Sequence, residues 1–166
     1  MYKYLLVTLS FLYTVTAYAQ TADSLLKPSP VKTLSARQYN ALLNGEDQHN
    51  MGLVADINGY PLPAKALKYK KEIDLSSVQT AAISKLNTAL IFKKKEMGTF
   101  IIRNERAMDS LFRLKKLNDG IIIYYTNRYG LYQGELRNAI LQAAFATWKQ
   151  LSQPQIKKLQ AFKNDN

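Results

Sequence analysis

The sequence predicts an all-α fold, a long antiparallel helical hairpin with short flanking helices. Three observations lead there. Apolar residues recur at three- and four-residue steps through two long stretches, from Ser76 to Leu114 and from Ile121 to Leu151. Asn118-Asp119-Gly120, a tight-turn signature, separates them. Leu75-Ser76-Ser77-Val78-Gln79 and Leu151-Ser152-Gln153-Pro154-Gln155 repeat one box, Leu-Ser-x-x-Gln, which suits the start of a helix.

In chain order, Met1 to Ala19 reads as a secretory signal, with Lys3 at its start, an apolar stretch from Leu5 to Val15 and the cleavage signal Ala17-Tyr18-Ala19. Thr8, Ser10 and Thr14 interrupt the apolar stretch, whereas a membrane span needs roughly 18 or more apolar residues. The expectation is cleavage after Ala19. Residues 20–33, with Pro28 and Pro30, form a flexible lead, and 34–163 a single helical domain. Leu34, Tyr39, Leu42 and Leu43 lie at helical spacing, so a short helix is expected over 35–43, ended by Gly45. The stretch from Asn50 to Pro63 is turn-rich, and its prolines open a helix expected from Ala64 to Ile73, with Leu67 and Tyr69 for burial.

The first long helix is expected to start at Ser76. A helix leaves its first N–H groups unpaired; Ser at the N-cap accepts from one of them, and Gln three residues on reaches back to the N-cap amide. Its stripe runs through Val78, Ala82, Leu86, Leu90, Met97, Phe100, Ile101, Met108, Leu111, Phe112 and Leu114. Lys93-Lys94-Lys95 and Gly98 thin the stripe near the middle, so a bend or local weakness is expected there. After the turn, Ile121 to Tyr125 could be a strand by composition, but no partner strand exists in the sequence, and the reading is helix to about Leu151. The second box then starts a last helix over 152–162, in which Leu151 can staple onto Ile156 and Pro154 sits harmlessly in the first turn. Residues 164–166 form a polar tail. A two-helix hairpin cannot bury both stripes, so the short helices, a second copy of the chain, or both must cover them; a homodimer is expected.

The 166 residues carry a formal charge of +11 and no cysteine. Disulfides, a thiolate nucleophile and a lipoprotein attachment site are therefore excluded. From Gly59 onward there are 19 Lys/Arg against 8 Asp/Glu, whereas residues 20–58 hold 3 against 4. The basicity belongs to the helical body. In an exported protein it favours anionic polypeptides, lipid headgroups or anionic envelope surfaces over nucleic acid as partners.

Chemistry is sparse. His49 beside Asp47 and Met51 is at most a partial metal site, and an exposed loop histidine is the simpler reading. Catalysis needs a nucleophile with a base, or apposed carboxylates. Glu96 and Glu105, nine positions apart on one helix, fit ion pairs better than an acid pair. No enzymatic activity, cofactor or metal is expected. Tyr124, Tyr125, Tyr129 and Tyr132, with Arg128 and Arg137 close by, could stack on rings of a ligand, but a packed face with hydroxyls at the surface is simpler. Two readings stay open for the basic residues Lys93, Lys94, Lys95, Arg103, Arg106, Arg113, Lys115 and Lys116: a solvated outer face, or a face that steers anionic chains. Met97, Phe100 and Ile101, beside the lysine run, are either core or apolar contacts for such a chain.

The signal, the basic helical body and the paired boxes, with Ser where the pattern has Thr, resemble the Spy/CpxP family of periplasmic proteins, named for LTxxQ motifs. The stretch from Gly52 to Pro63, containing Asn58-Gly59-Tyr60-Pro61, and Gly134-Glu135-Leu136-Arg137 are similar to a Spy-like subgroup. The resemblance covers roughly 34–162. It implies a bent, cradle-shaped hairpin, often an antiparallel dimer, in the periplasm of Gram-negative bacteria. It also implies ATP-independent chaperoning of partly unfolded envelope proteins, restraint of envelope-stress signalling through a sensor kinase, or metal sensing. Leu75, Ser76, Gln79, Leu151, Ser152 and Gln155 would be its structural caps.

Overall fold

A computed structural model describes residues 28–162; the expected signal, residues 20–27 of the expected lead, Lys163 and the expected polar tail lie outside them. The described residues form six helices and no strand: α1 (Ala36–Asn44), α2 (Leu53–Ile57), α3 (Pro63–Lys68), α4 (Ser77–Arg113), α5 (Asp119–Gln150) and α6 (Gln153–Ala161). The hairpin of α4 and α5 is the frame, with α1 and α3 packed on α4 and α2 on α5.

Four of the helices begin where a side chain satisfies their first amides. At Ser76 and Ser152 the serine hydroxyl accepts from the Gln79 and Gln155 backbone N–H at 3.1 and 3.4 Å, and the glutamine carbonyl oxygen accepts from the serine amide at 3.0 and 2.9 Å. Both boxes form as read. A third, at Ser35 with Gln38, starts α1, which Gly45 ends in the left-handed conformation at φ +70°. The turn signature is displaced by one step: Asn118 is the N-cap of α5, its side chain accepting from the Ile121 amide at 2.9 Å, while Asp119 and Gly120 belong to the helix. The chain reverses over Leu114 to Leu117, with Lys115 at φ +54°.

One expectation is corrected. The helix expected from Ala64 to Ile73 ends at Lys68 and continues as turns to Asp74, which at φ +55° aims the chain into the first box. Gly98 lies within α4, which is continuous from Ser77 to Arg113. Its missing side chain serves contact: a β-carbon there would stand 2.0 Å from the Leu42 carbonyl oxygen of α1.

The core divides in two. At the box end, Ala66, Ile73, Ile83, Leu151, Ile156 and Leu159 are buried together, with Tyr69 stacked on Phe162 at 4.3 Å. Leu151 and Ile156 join this cluster, as the staple requires. At mid-hairpin, Leu90, Met97, Leu136, Ile140 and Ala143 pack together, flanked by Met51 and Leu62 from the connector. The connector is therefore part of the body: Gly52 lies against Ile140, and Tyr60 packs on Trp148 at 5.3 Å.

Candidate binding surface on the open half of the hairpin

The covering layer stops halfway. Between Asp119 and Glu135 no residue of α5 is buried, whereas Leu136, Ile140, Ala143, Ala144 and Thr147 beyond it are. On α4 the buried positions Ile83, Leu90, Met97 and Asn104 recur every seven residues, and none follows Asn104. Asn104 donates to the Tyr125 carbonyl at 3.2 Å, a side-chain hydrogen bond between the two long helices in this half. Past it, Met108, Leu111, Ile121 and Tyr125 are only half-buried, and much of the apolar surface is uncovered. Phe112, Leu114, Ile122, Ile123, Tyr124, Tyr129 and Leu131 are exposed, although Phe112 and Leu114 belong to the stripe that predicted the helix.

The charge of this half is positive, with six Lys/Arg against three Asp/Glu between residues 103 and 128. Arg128 is held one helical turn from two tyrosines. Its guanidinium donates to the Tyr124 hydroxyl at 2.7 Å and to the Tyr132 hydroxyl through Nε at 3.0 Å, and a further Nη2 contact reaches the same Tyr132 oxygen. It lies 5.3 and 5.5 Å from the two ring centroids. These hydroxyls, Tyr132 first, raise the Arg128 pKa further above its ordinary value. Among the described residues no carboxylate pairs with it, so a fixed, exposed cation stands on an aromatic base.

The residues singled out from the sequence are distributed differently from one another. Met97 and Ile101 are 3 % and 1 % exposed and are core, not surface contacts. Met97 faces α5 within the mid-hairpin cluster, and Ile101 lies one turn beyond Gly98, where α1 crosses. Phe100 is half-buried against Tyr132, ring centroids 5.2 Å apart. Lys93 is paired with Glu96 at 2.8 Å, which raises its pKa. Lys94 is half-buried beneath the turn at Gly45, and burial lowers its pKa against the pull of Asp47 and Glu46. Lys95, Arg103, Arg106, Arg113, Lys115 and Lys116 are exposed. The tyrosines do not form the packed face expected of them: Tyr124 and Tyr129 are exposed, and only Tyr125 and Tyr132 turn inward. His49 is exposed, its amide donating to Asp47, and among the described residues no three His, Cys, Asp or Glu converge.

The sequence also did not show that the boxes touch. The Gln79 and Gln155 side-chain amides pair reciprocally, Nε2 to Oε1, at 3.0 and 3.1 Å across 76 positions of sequence. Gln79 Nε2 also donates to the Gln150 carbonyl at 2.7 Å, and Gln155 Nε2 to the Asp74 carbonyl at 3.2 Å. Each glutamine thus caps its own helix and ties down the residue two before the other N-cap. The signal for this was the repetition of the box at both ends of one hairpin.

Comparison of the chain with protein families, curated proteins and solved structures finds no match. No described helix is long and apolar enough to cross a membrane.

Proposed function

We propose that this chain is a Spy-like, non-enzymatic envelope protein, exported by its signal to the periplasm, that holds partly unfolded polypeptides without ATP. The observation that carries the reading is the open half of the hairpin, where Tyr124, Tyr129 and Leu131 are exposed around the fixed Arg128 cation. Arg103 and Arg106 on α4 add to the positive field. Such a surface attracts anionic chains at a distance and retains apolar segments by non-directional contact, which suits clients of no fixed sequence. The clasped boxes support the family assignment, since they give the repeated motif a shared structural role. A homodimer that covers part of the open half belongs to the same proposal.

The test is aggregation of several unrelated unfolding proteins, with and without the mature chain, without nucleotide and across a salt series. Suppression at near-stoichiometric amounts that weakens with salt is expected. Failure on every client would remove the chaperone reading in favour of a regulator with one dedicated partner.

A further inference from the structure

The closed end of the hairpin differs from the rest of the open half. Phe112 and Leu114, on the last turn and cap of α4, are 57 % and 51 % exposed, and Ile123, in the opening turns of α5, is 59 % exposed. At 1.5 Å rise per residue, Ile123 lies about 6 Å along α5 from its start. These side chains therefore occupy a shallow layer at the very end of the molecule. Arg113, Lys115 and Lys116 are interleaved with them; no acid lies between residues 110 and 118, and among the described residues none of the three makes an ion pair.

We propose that this end docks on an anionic phospholipid bilayer, with Phe112, Leu114 and Ile123 entering the interface and Arg113, Lys115 and Lys116 meeting the headgroups. The proposal goes beyond the holding of polypeptides and does not depend on it. Four features carry it. The depth of the apolar layer matches the roughly 5–10 Å to which interfacial elements sink. The lysines have apolar stems long enough to follow the apolar residues down while their ammonium groups stay at the headgroups. Two amides of the reversal are satisfied locally: the Lys115 and Lys116 amides donate to the Phe112 and Leu111 carbonyls, both at 3.0 Å, and Asn118 caps α5. Satisfied backbone groups lower the cost of meeting an apolar medium. Finally, the concavities described for the molecule lie elsewhere. Four of them are lined by the connector and the turns before the first box, with α2, α3, α6 and the box-end termini of α4 and α5, and none of these four includes a residue of this end. A protruding apolar end with a basic collar fits a surface better than a chain that needs a groove.

The experiment is flotation of the mature chain with vesicles of phosphatidylcholine alone and of phosphatidylcholine mixed with phosphatidylglycerol, at low and high salt. Sedimentation gives the oligomeric state in parallel. Binding is expected to the mixed vesicles only and to fall with salt. Lys115→Gln and Lys116→Gln should each weaken it about fivefold. Phe112→Ser with Ile123→Ser should weaken it about tenfold or more while leaving the circular dichroism melt unchanged, because both side chains are exposed. Absence of binding to mixed vesicles overturns the proposal. So does loss in the lysine variants with none in the apolar pair, which would be plain charge adsorption. If wild type ignores vesicles and the apolar pair instead dissolves a dimer or abolishes holding of unfolded proteins, the occupant is a second copy or a polypeptide, and the proposal is likewise overturned.

Discussion

Gly98 carries the carbonyl of Leu42 so closely that α1 and α4 meet backbone to backbone, with 2.0 Å left for a β-carbon. Two effects of Gly98→Ala therefore oppose each other. In an exposed helix alanine would stabilise by about 0.8–1 kcal/mol, whereas overpacking at a tight contact costs about 1–3 kcal/mol or more. The obstacle is backbone on both sides and cannot rotate away, so overpacking should win. Chemical denaturation should show a net loss of stability, and limited proteolysis should find α1 cut earlier than in wild type. A variant more stable than wild type would mean that α1 does not sit on Gly98.

The glutamine pair predicts coupling. Gln79→Ala and Gln155→Ala should each destabilise by about 1–3 kcal/mol, since each leaves the partner amide and an N-cap short of a bond. The double variant should cost less than the two together, by about 0.5–3 kcal/mol. Ser76→Ala and Ser152→Ala, which remove only a cap, should cost about 0.5–2 kcal/mol each. Additive glutamine effects in a denaturation cycle would show two independent caps.

Lys94 predicts a pH dependence. Burial lowers its pKa in the folded chain, with Asp47 and Glu46 only partly opposing, and unfolding returns it toward 10.5. Between the two values the unfolded chain binds more protons, so stability from this group rises with pH through that window, and the cost of holding it charged is fully present below the folded value. Lys94→Met should therefore be more stable than wild type near neutral pH, by a margin that shrinks as pH approaches 10.5. Thermal melts of both proteins from neutral to alkaline pH measure the margin.

The open half predicts a split between attraction and retention. Leu131→Ser, at an exposed position, should weaken suppression of aggregation at every salt concentration while leaving stability within about 0.5 kcal/mol. Arg128→Gln should slow capture mainly at low salt, and its effect should fade as salt screens the charge. Equal salt dependence in the two variants, read by light scattering of an aggregating client, would contradict the division.

The helices were legible because their signals are local. Boxes, glycine caps and a 3.6-residue stripe act within a few positions, and they placed α1, α4, α5 and α6 within a residue or two at most termini. What touches what was less legible. The stripe that named Met97 and Phe112 alike cannot say that Met97 is buried and Phe112 exposed, since that depends on where α1, α2 and α3 stop covering the hairpin. Gly98 read as a weak point because propensity sees only its own helix. Of the candidate surface, the exposed arginines and lysines were visible as charge, but the seating of Arg128 between Tyr124 and Tyr132 needed the helix to be certain first.

The reciprocal amides also set an order in time. The reversal at Leu114 to Leu117 joins neighbours in sequence, while the glutamines meet across 76 positions. Closing a coil of that length outright is slow, but zippering of α4 and α5 from the turn delivers both glutamines to the same place with most of the entropy already lost. On this route the amide pair is predicted to form after the rate-limiting step. Substitutions in it should hasten unfolding and leave the folding rate nearly untouched, so the clasp acts as a latch on the lifetime of the folded chain more than as a guide to reaching it.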